Sequence, residues 1–408
     1  MKLIEKELVS AQENVKVRSR LLLIIGIILV ASNLRAPITA ISPLLGYMRA
    51  DLPLSNTMTG FLTTLPLLAF AGLSPFVSQL ARKWGMELLV FFALCFMVFG
   101  SLIRPFGGIP VLLFGTFLIG LAIAVGNVLL PSLIKKEFPF KMGLMTGIYS
   151  ISMNVSAMLA SGLSVPIAVN AGLGWQGALV IWSVFAVIAL LVWLPQLRHN
   201  TRTAPANVAV TPKRQNIWKS PLAWKITIFM GMQSTVFYVM VAWLPGILID
   251  QGIASAQAGF MLSILQLGIL PFTFVVPIIA SKMKSQQPIV IVMCLLLLAG
   301  TGGLMFGSGY IWLITASVFI IGIASGTAFS VCMMFFNLRT TTAIEAADLS
   351  GMAQSIGYLL AAAMPTLFGF LHDLTGGYVI PLGILIFATL VLFITGLDAA
   401  RDKKVFSK

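Results

Sequence analysis

Long uncharged apolar runs alternate with short polar segments along almost the whole chain. A helix that crosses about 30 Å of hydrocarbon needs roughly 20 residues, and charges, glycines and prolines divide the 408 residues into runs of that size. The pattern predicts an all-α membrane protein with twelve transmembrane helices. The predicted spans are 21–48, 57–81, 87–107, 109–134, 142–168, 175–195, 222–249, 256–281, 288–308, 310–337, 349–372 and 378–398.

The composition supports a bilayer and argues against two other classes of protein. Hydrophobic residues make up 59% of the chain and charged residues 9%, which is too little charge for a soluble surface. The net charge of +14 is spread over many loops, whereas nucleic-acid binding needs one basic patch. With 2 histidines, and 3 cysteines inside apolar runs, we expect no catalytic cluster, metal or cofactor, and therefore no enzyme.

The basic residues also predict an orientation. If the amino terminus is cytoplasmic, 23 of the 26 Lys and Arg residues fall on that side, while Arg49 and Arg104 fall on the other. We therefore expect a multi-pass protein of a bacterial cytoplasmic membrane, with both termini cytoplasmic and basic loops against anionic lipid. The alternative, a signal peptide cleaved after Ala31, is disfavoured by acidic residues in the first twenty positions and by the apolar run that continues past that site.

The longest polar stretch follows the sixth predicted span and divides the chain into two halves. Arg35-Ala-Pro37 matches Trp243-Leu-Pro245 at an offset near 208, and four further short matches follow in the same order. Such matches favour two parallel six-helix repeats with a site between them. The expected organisation is a cytoplasmic segment 1–20, a bundle 21–195, a cytoplasmic linker 196–221, a bundle 222–398 and a cytoplasmic tail 399–408.

Several short motifs lie in or beside the predicted helices. The loop from Ser78 to Glu87 keeps Gly85 but has Arg82 where the related loop of a known family is acidic. This loop resembles the loop after the second helix in the major facilitator superfamily. The resemblance to that superfamily covers the whole chain. Within that superfamily it is similar to the cyanate and 2-nitroimidazole transporter (CynX/NimT) branch, through Asn33-Leu-Arg35-Ala-Pro37, Gly126-Asn127, Ala242-Trp243-Leu-Pro245 and Leu349 to Tyr358. The resemblance implies a transporter that works by alternating access.

Arg35 is the most informative single residue. It follows the start of its predicted span by about 21 Å, near the middle of the bilayer, where an arginine costs at least about 2.5 kcal/mol. All 12 acidic residues lie in tails, loops or helix ends, so the sequence offers no mid-membrane counter-charge. We therefore expect Arg35 to face an aqueous cavity and to bind a small anionic or polar planar solute. The alternative is a structural arginine held by carbonyls freed near Pro37.

Further polar and aromatic residues complete the predicted site. The substrate-binding candidates besides Arg35 are Asn127, Tyr149, Asn154, Gln233, Tyr238, Trp243, Gln266, Gln354 and Tyr358. Each could instead form an interhelical hydrogen bond, and Trp243 could lie at the membrane boundary. Charged residues near the cytoplasmic helix ends predict a gate made of Arg82, Lys83, Glu87, Glu137 and Arg339.

The expected function is secondary transport of a small-molecule substrate by a monomer. Importing an unaccompanied anion against 100 mV costs about 2.3 kcal/mol, which favours exchange, export or entry together with a proton. One alternative is a proton-linked multidrug exporter that uses Glu345 or Asp348, and another is a nontransporting sensor or membrane enzyme. The first would give a broad drug-resistance profile, and the second would bind a ligand without moving it.

Overall fold

The computed structural model describes residues 21–54, 56–200, 216–307 and 309–406. The predicted segment 1–20 and most of the predicted linker lie outside these residues. Within the described ranges the chain forms fourteen α-helices and no strand. They are α1 (21–33), α2 (Ala36–Thr39), α3 (Leu45–Asp51), α4 (Asn56–Trp84), α5 (Met86–Ile103), α6 (Gly108–Glu137), α7 (Met142–Val169), α8 (Gly174–Trp193), α9 (Pro221–Asp250), α10 (Ser255–Lys282), α11 (Gln287–Phe306), α12 (Ile311–Leu338), α13 (Ala343–Thr375) and α14 (Val379–Ala399).

The all-α fold with twelve spans is confirmed. In the described part of the chain, twelve segments are long and apolar enough to cross a membrane. Helices α1 to α3 together make the first of these, Leu21–Asp51. The prediction of one continuous helix over 21–48 is wrong, because the chain turns at Leu34 and Arg35. Pro37 contributes to the break, since it lacks the N–H that would bond the carbonyl oxygen of Asn33 and continue α1.

The helices pack as two groups. In the first, α5 packs on α6 and α8, α4 on α6, and α7 on α2 and α8. In the second, α9 packs on α13 and α14, and α12 on α10 and α11. Glycines allow the closest approaches: a Cβ on Gly322 of α12 would lie 2.3 Å from the carbonyl oxygen of Leu265 on α10. Packing of small residues replaces the hydrophobic effect as the cause of helix association in lipid.

The two groups meet mainly along α4 with α13, α7 with α10, and α6 with α13. Near the end of the bundle where α1 begins and α14 ends, which we call the termini end, these contacts are close. A Cβ on Gly143 would lie 2.5 Å from the carbonyl oxygen of Pro277, and one on Gly351 would lie 2.5 Å from that of Ser74. The termini end is therefore closed.

Candidate functional site

A chamber lies between the two helix groups. The space open to a water-sized molecule is about 20 Å³, within a larger volume of about 390 Å³ that includes open solvent. Among the described residues that line it, Arg35 is the only charged one, and none is acidic. The lining residues are Arg35 of the first group with Asn154 of α7, and Gln233, Ser234, Phe237, Tyr238, Ile269, Thr273, Ser325, Phe329 and Tyr358 of the second group.

Arg35 stands at the break between α1 and α2. Its guanidinium carbon lies 5.2 Å from the ring centre of Phe237 and 5.7 Å from that of Phe329, so two aromatic rings of the second group contact a cation of the first. Such contacts offset part of the cost of removing the cation from water. Within the described residues the guanidinium has no hydrogen bond and no ion pair. Its N–H groups are therefore available to a solute.

Other side chains hold the helix break in place. The Nδ2 of Asn33 donates to the carbonyl oxygen of Phe185 on α8 (3.1 Å), and the hydroxyl of Ser156 on α7 donates to that of Ser32 (2.8 Å). Arg104 donates through Nη1 to the carbonyl oxygen of Pro37 (2.8 Å). The carbonyl of Pro37 is free because the N–H of Ile41 donates instead to the carbonyl oxygen of Ile38, where α2 ends. Arg35 makes no hydrogen bond to a carbonyl group of the described residues, so the structure shows no contact of the structural alternative.

Arg104 directly follows α5, within the predicted span 87–107. Its side chain is buried with 1% exposure beside the helix break. Gly115 makes room for it, because a Cβ there would lie 2.6 Å from the Cβ of Arg104. Its Nε and Nη2 have no hydrogen-bond partner within the described residues.

Five of the ten predicted substrate-binding residues line the chamber, namely Arg35, Asn154, Gln233, Tyr238 and Tyr358. The Nδ2 of Asn154 donates to the Ser150 carbonyl oxygen (2.9 Å), which leaves its Oδ1 free to accept. The rings of Tyr238 and Tyr358 meet edge to face with centres 6.5 Å apart. These two rings form an aromatic wall of the chamber.

Three other predicted residues form a buried network on the termini side of the chamber. Tyr149 donates its hydroxyl hydrogen to Oδ1 of Asn127 (3.2 Å). The Nε2 of Gln354 donates to the backbone oxygen of Asn127 (2.9 Å) and to the hydroxyl of Ser350 (2.7 Å). None of the three is among the residues that line the chamber in the described structure.

The last two predicted residues are also absent from the lining that the structure describes. Trp243 donates from Nε1 to the carbonyl oxygen of Pro365 (2.9 Å), and its ring packs against Phe368 and Tyr378 near the other end of the bundle. Tyr378 lies between spans, where partial burial and the carboxylates of Asp250 and Asp373 raise its pKa. Gln266 is half-buried on α10.

At the termini end, the predicted gate residues do not form one connected set of contacts. Arg82 donates from Nη1 to both carboxylate oxygens of Asp348 (3.0 and 2.9 Å) and so joins α4 to α13 across the groups. Lys136 pairs with Glu87 (2.6 Å) and Glu137 (3.6 Å) inside the first group.

Arg339 bonds inside the second group, to the carbonyl oxygens of Ala399 (2.6 Å) and Ala400 (2.8 Å), and Lys83 is exposed. A residue that the sequence reasoning missed, Lys135, donates across the groups to the carbonyl oxygens of Asn337 (2.8 Å) and Thr340 (2.5 Å). Arg82 and Lys135 therefore both connect the two groups at this end.

The chamber also contains residues that the sequence did not single out: Ser234, Phe237, Ile269, Thr273, Ser325 and Phe329. Phe237 and Phe329 are two of 28 phenylalanines, most of them in apolar runs, so composition gives no reason to select them. For Phe329 the sequence offers one signal, its position: it lies four residues after Ser325, so the two share a helix face.

Comparison with sequence families matches residues 22–365 to the Major Facilitator Superfamily. The chain belongs to this superfamily. It is a multi-pass membrane transporter and not an enzyme, and the described helices have the corresponding fold. Among solved structures, the proton:xylose symporter XylE bound to 6-bromo-6-deoxy-D-glucose is similar, with a TM-score of 0.77, 12% sequence identity, and coverage of 94% of this chain and 97% of that chain.

Relatives narrow the position of this transporter within the superfamily. It is 45% identical to the uncharacterized transporter YycB of Bacillus subtilis (strain 168), over 94% of each chain. It is 42% identical to the 2-nitroimidazole transporter of Escherichia coli (strain K12), over 95% of this chain and 98% of the relative. Identity to the cyanate transport protein CynX of the same strain is 25%, over 87% and 91%. The transporter lies in the cyanate and 2-nitroimidazole transporter branch.

Proposed function

We propose that this transporter moves a small anionic or polar planar solute across the bacterial cytoplasmic membrane by alternating access, and that Arg35 binds the solute. The observation that carries the proposal is the half-buried guanidinium of Arg35 in a chamber whose described lining has no carboxylate. A permanent cation at this depth needs a negative or electron-rich partner. The solute supplies that partner.

The aromatic residues that line the pocket favour a flat ligand. Phe237 and Phe329 contact the guanidinium, while its N–H groups make no hydrogen bond to the described protein and can donate to nitro, carboxylate or cyanate oxygens. Tyr238 and Tyr358 offer ring faces and edges for stacking. The relatives named for 2-nitroimidazole and cyanate transport carry solutes of this small polar class, which supports the same class for this chain.

The positions of Glu345 and Asp348 argue against proton coupling through a carboxylate in the chamber. Glu345 caps the start of α13 by accepting the N–H groups of Thr341 (2.7 Å) and Thr342 (3.3 Å). Asp348 is paired with Arg82. Neither lines the chamber, so exchange, export, or entry with a proton carried by the solute agrees better with the site than a carboxylate-based proton cycle.

The basic loops support a cytoplasmic location for the termini end, by the excess of Lys and Arg on the cytoplasmic side of membrane proteins. In that orientation the transporter is closed to the cytoplasm by Arg82, Lys135 and the close glycine contacts. The chamber would then load from the outside. Separation of α4 from α13 and of α7 from α10 would release the solute to the cytoplasm.

Counterflow in liposomes tests the proposal. Purified transporter is reconstituted with unlabelled 2-nitroimidazole or cyanate inside, and uptake of the labelled solute is measured at two values of pH. We expect transient accumulation by the wild type and by Arg198→Gln, which alters an exposed arginine far from the chamber lining. Arg35→Gln should abolish accumulation, and equal accumulation by Arg35→Gln and the wild type would refute the proposed role.

A further inference from the structure

Two hydrogen bonds between the helix groups end on carbonyl oxygens that prolines have released. In an α-helix the carbonyl of residue i accepts the N–H of residue i+4, and proline has no N–H. Pro131 in α6 therefore leaves the carbonyl oxygen of Asn127 without its helical partner. Gln354 of α13 donates from Nε2 to that same oxygen at 2.9 Å.

The second case repeats the first on another helix. Pro75 in α4 releases the carbonyl oxygen of Ala71, and the hydroxyl of Ser355 donates to it at 2.6 Å. Gln354 and Ser355 are neighbours on α13 and are buried, with 1% and 9% exposure. One turn of the second group thus satisfies two proline-released carbonyls on two different helices of the first.

We propose that Gln354 and Ser355 are positioning residues of the transport cycle, which hold the termini end closed by binding the carbonyl oxygens released by Pro131 and Pro75. The inference rests on the proposed alternating access. When the groups separate, both carbonyls and the hydroxyl of Ser355 lose these partners and must be hydrated, and the Nε2 of Gln354 keeps only its bond to Ser350 on the same helix. The closed state is therefore favoured by hydrogen bonds that ordinary helices, with all carbonyls paired, would not offer.

Position on α13 relates this contact to the chamber. Tyr358, which lines the chamber, lies one turn beyond Gln354, and Asp348, which pairs with Arg82, lies less than two turns before it. The ring of Tyr358 also packs against Phe70 of α4, with centres 5.3 Å apart. A solute that displaces Tyr358 acts on the same rigid helix that carries both donors. Gln354 is therefore reassigned from contact with the solute to control of closure.

The chain offers a matched control inside one group. Pro277 releases the carbonyl oxygen of Thr273 in α10, and the hydroxyl of Ser330 in α12 lies 3.4 Å from it. This contact has the same chemistry as that of Ser355, but both helices belong to the second group. Ser330→Ala should therefore leave the balance between open and closed states unchanged.

Distances between spin labels measure that balance directly. Labels are placed on cysteines at Lys141 and Lys284, two exposed positions on opposite groups at the termini end, after the three native cysteines are replaced by alanine. Double electron-electron resonance then gives the fractions of molecules with short and long distances. The variants are Gln354→Met, Ser355→Ala and Ser330→Ala, each with and without 2-nitroimidazole.

Loss of one hydrogen bond of ordinary net strength changes an equilibrium by about 2- to 12-fold. We expect Gln354→Met and Ser355→Ala each to raise the ratio of long to short distances by that factor, and Ser330→Ala to leave it within error. In a Pro131→Ala background, the added N–H keeps the Asn127 carbonyl paired in both states, so Gln354→Met should have a smaller effect. Pro75→Ala should reduce the effect of Ser355→Ala in the same way.

An unchanged ratio in both Gln354→Met and Ser355→Ala would overturn the proposal, as would effects that the proline substitutions do not reduce. A single short distance in every protein would overturn it as well. If the wild type also keeps that distance with 2-nitroimidazole bound, alternating access fails too. If the short and long distances are both present but their ratio is the same in the wild type and in these variants, alternating access stands. Only the role of Gln354 and Ser355 is then refuted.

Discussion

Exchanging the charges of Arg82 and Asp348 should keep the termini end closed, whereas reversing either one should open it. One nitrogen of Arg82 lies 3.0 and 2.9 Å from the two carboxylate oxygens, and the side chains are 26% and 25% exposed. The pair joins α4 to α13, the helices that must separate if the termini end opens. Its loss therefore acts on the open state and the closed state unequally.

The magnitude follows from distance and exposure. Two unit charges 4 Å apart near a protein surface interact by about 4 kcal/mol before desolvation is counted. Partial exposure and side-chain entropy reduce the net value of such a pair to about 1 kcal/mol. Arg82→Gln should thus raise the ratio of open to closed molecules about 5-fold. Arg82→Asp adds repulsion between two carboxylates and should raise it more than tenfold.

The assay is the label distance between positions 141 and 284, measured in detergent at low and at high salt. The double variant Arg82→Asp with Asp348→Arg faces the same two charges across the groups in exchanged positions. It should return the ratio to within about twofold of wild type, which corresponds to a residual difference of about 0.4 kcal/mol in the free energy of opening. The control is Arg401→Glu, which places a negative charge beside Asp398 inside one group. In the wild type, Nη1 of Arg401 lies 3.7 Å from Oδ1 of Asp398. This variant should not shift the ratio of open to closed molecules. A double variant as open as Arg82→Asp would show that this ion pair does not hold the termini end closed.

Three further predictions concern contacts at the two ends of the bundle. Gly351→Ala should increase labelling of thiols at the termini end by a membrane-impermeant maleimide, because its Cβ would lie 2.5 Å from a carbonyl oxygen of α4; Gly383→Ala, with nothing within 4 Å, should not. Lys135→Met removes hydrogen bonds to two carbonyls at the end of α12 and should increase the same labelling severalfold. Arg104→Met frees the Pro37 carbonyl and should weaken 2-nitroimidazole binding about 5-fold in equilibrium titrations, with partial recovery in Arg104→Lys.

The sequence predicted the spans and the central arginine because both have strong local signals. Twenty uncharged residues in a row are visible without any tertiary information, and an arginine inside such a run is costly wherever it lies. The five predicted residues that line the chamber were visible for the same reason. The other five predicted residues are not in the chamber lining that the structure describes. A polar residue in a transmembrane helix serves equally well to bond a neighbouring helix.

What the sequence could not predict depends on contacts between distant segments. The partner of Arg82 is Asp348, 266 positions away, and no local pattern selects it over Glu137. Phe237 and Phe329 become site residues only because Arg35 lies beside them. Arg104 is buried beside the helix break and binds the carbonyl oxygen of Pro37, which is free because α2 ends there. The proline itself was visible, but its consequence for a residue on another helix was not.

The most direct test of the central claim is equilibrium binding of 2-nitroimidazole and of cyanate to purified transporter by titration calorimetry. Removing one partner of a buried, hydrogen-bonded charge costs at least about 2 kcal/mol, or roughly 30-fold in affinity. The account predicts a loss of that size in Arg35→Gln for whichever of these solutes binds, a smaller loss in Arg35→Lys, and wild-type affinity in Arg198→Gln. Binding of equal strength in the wild type and in Arg35→Gln would contradict it.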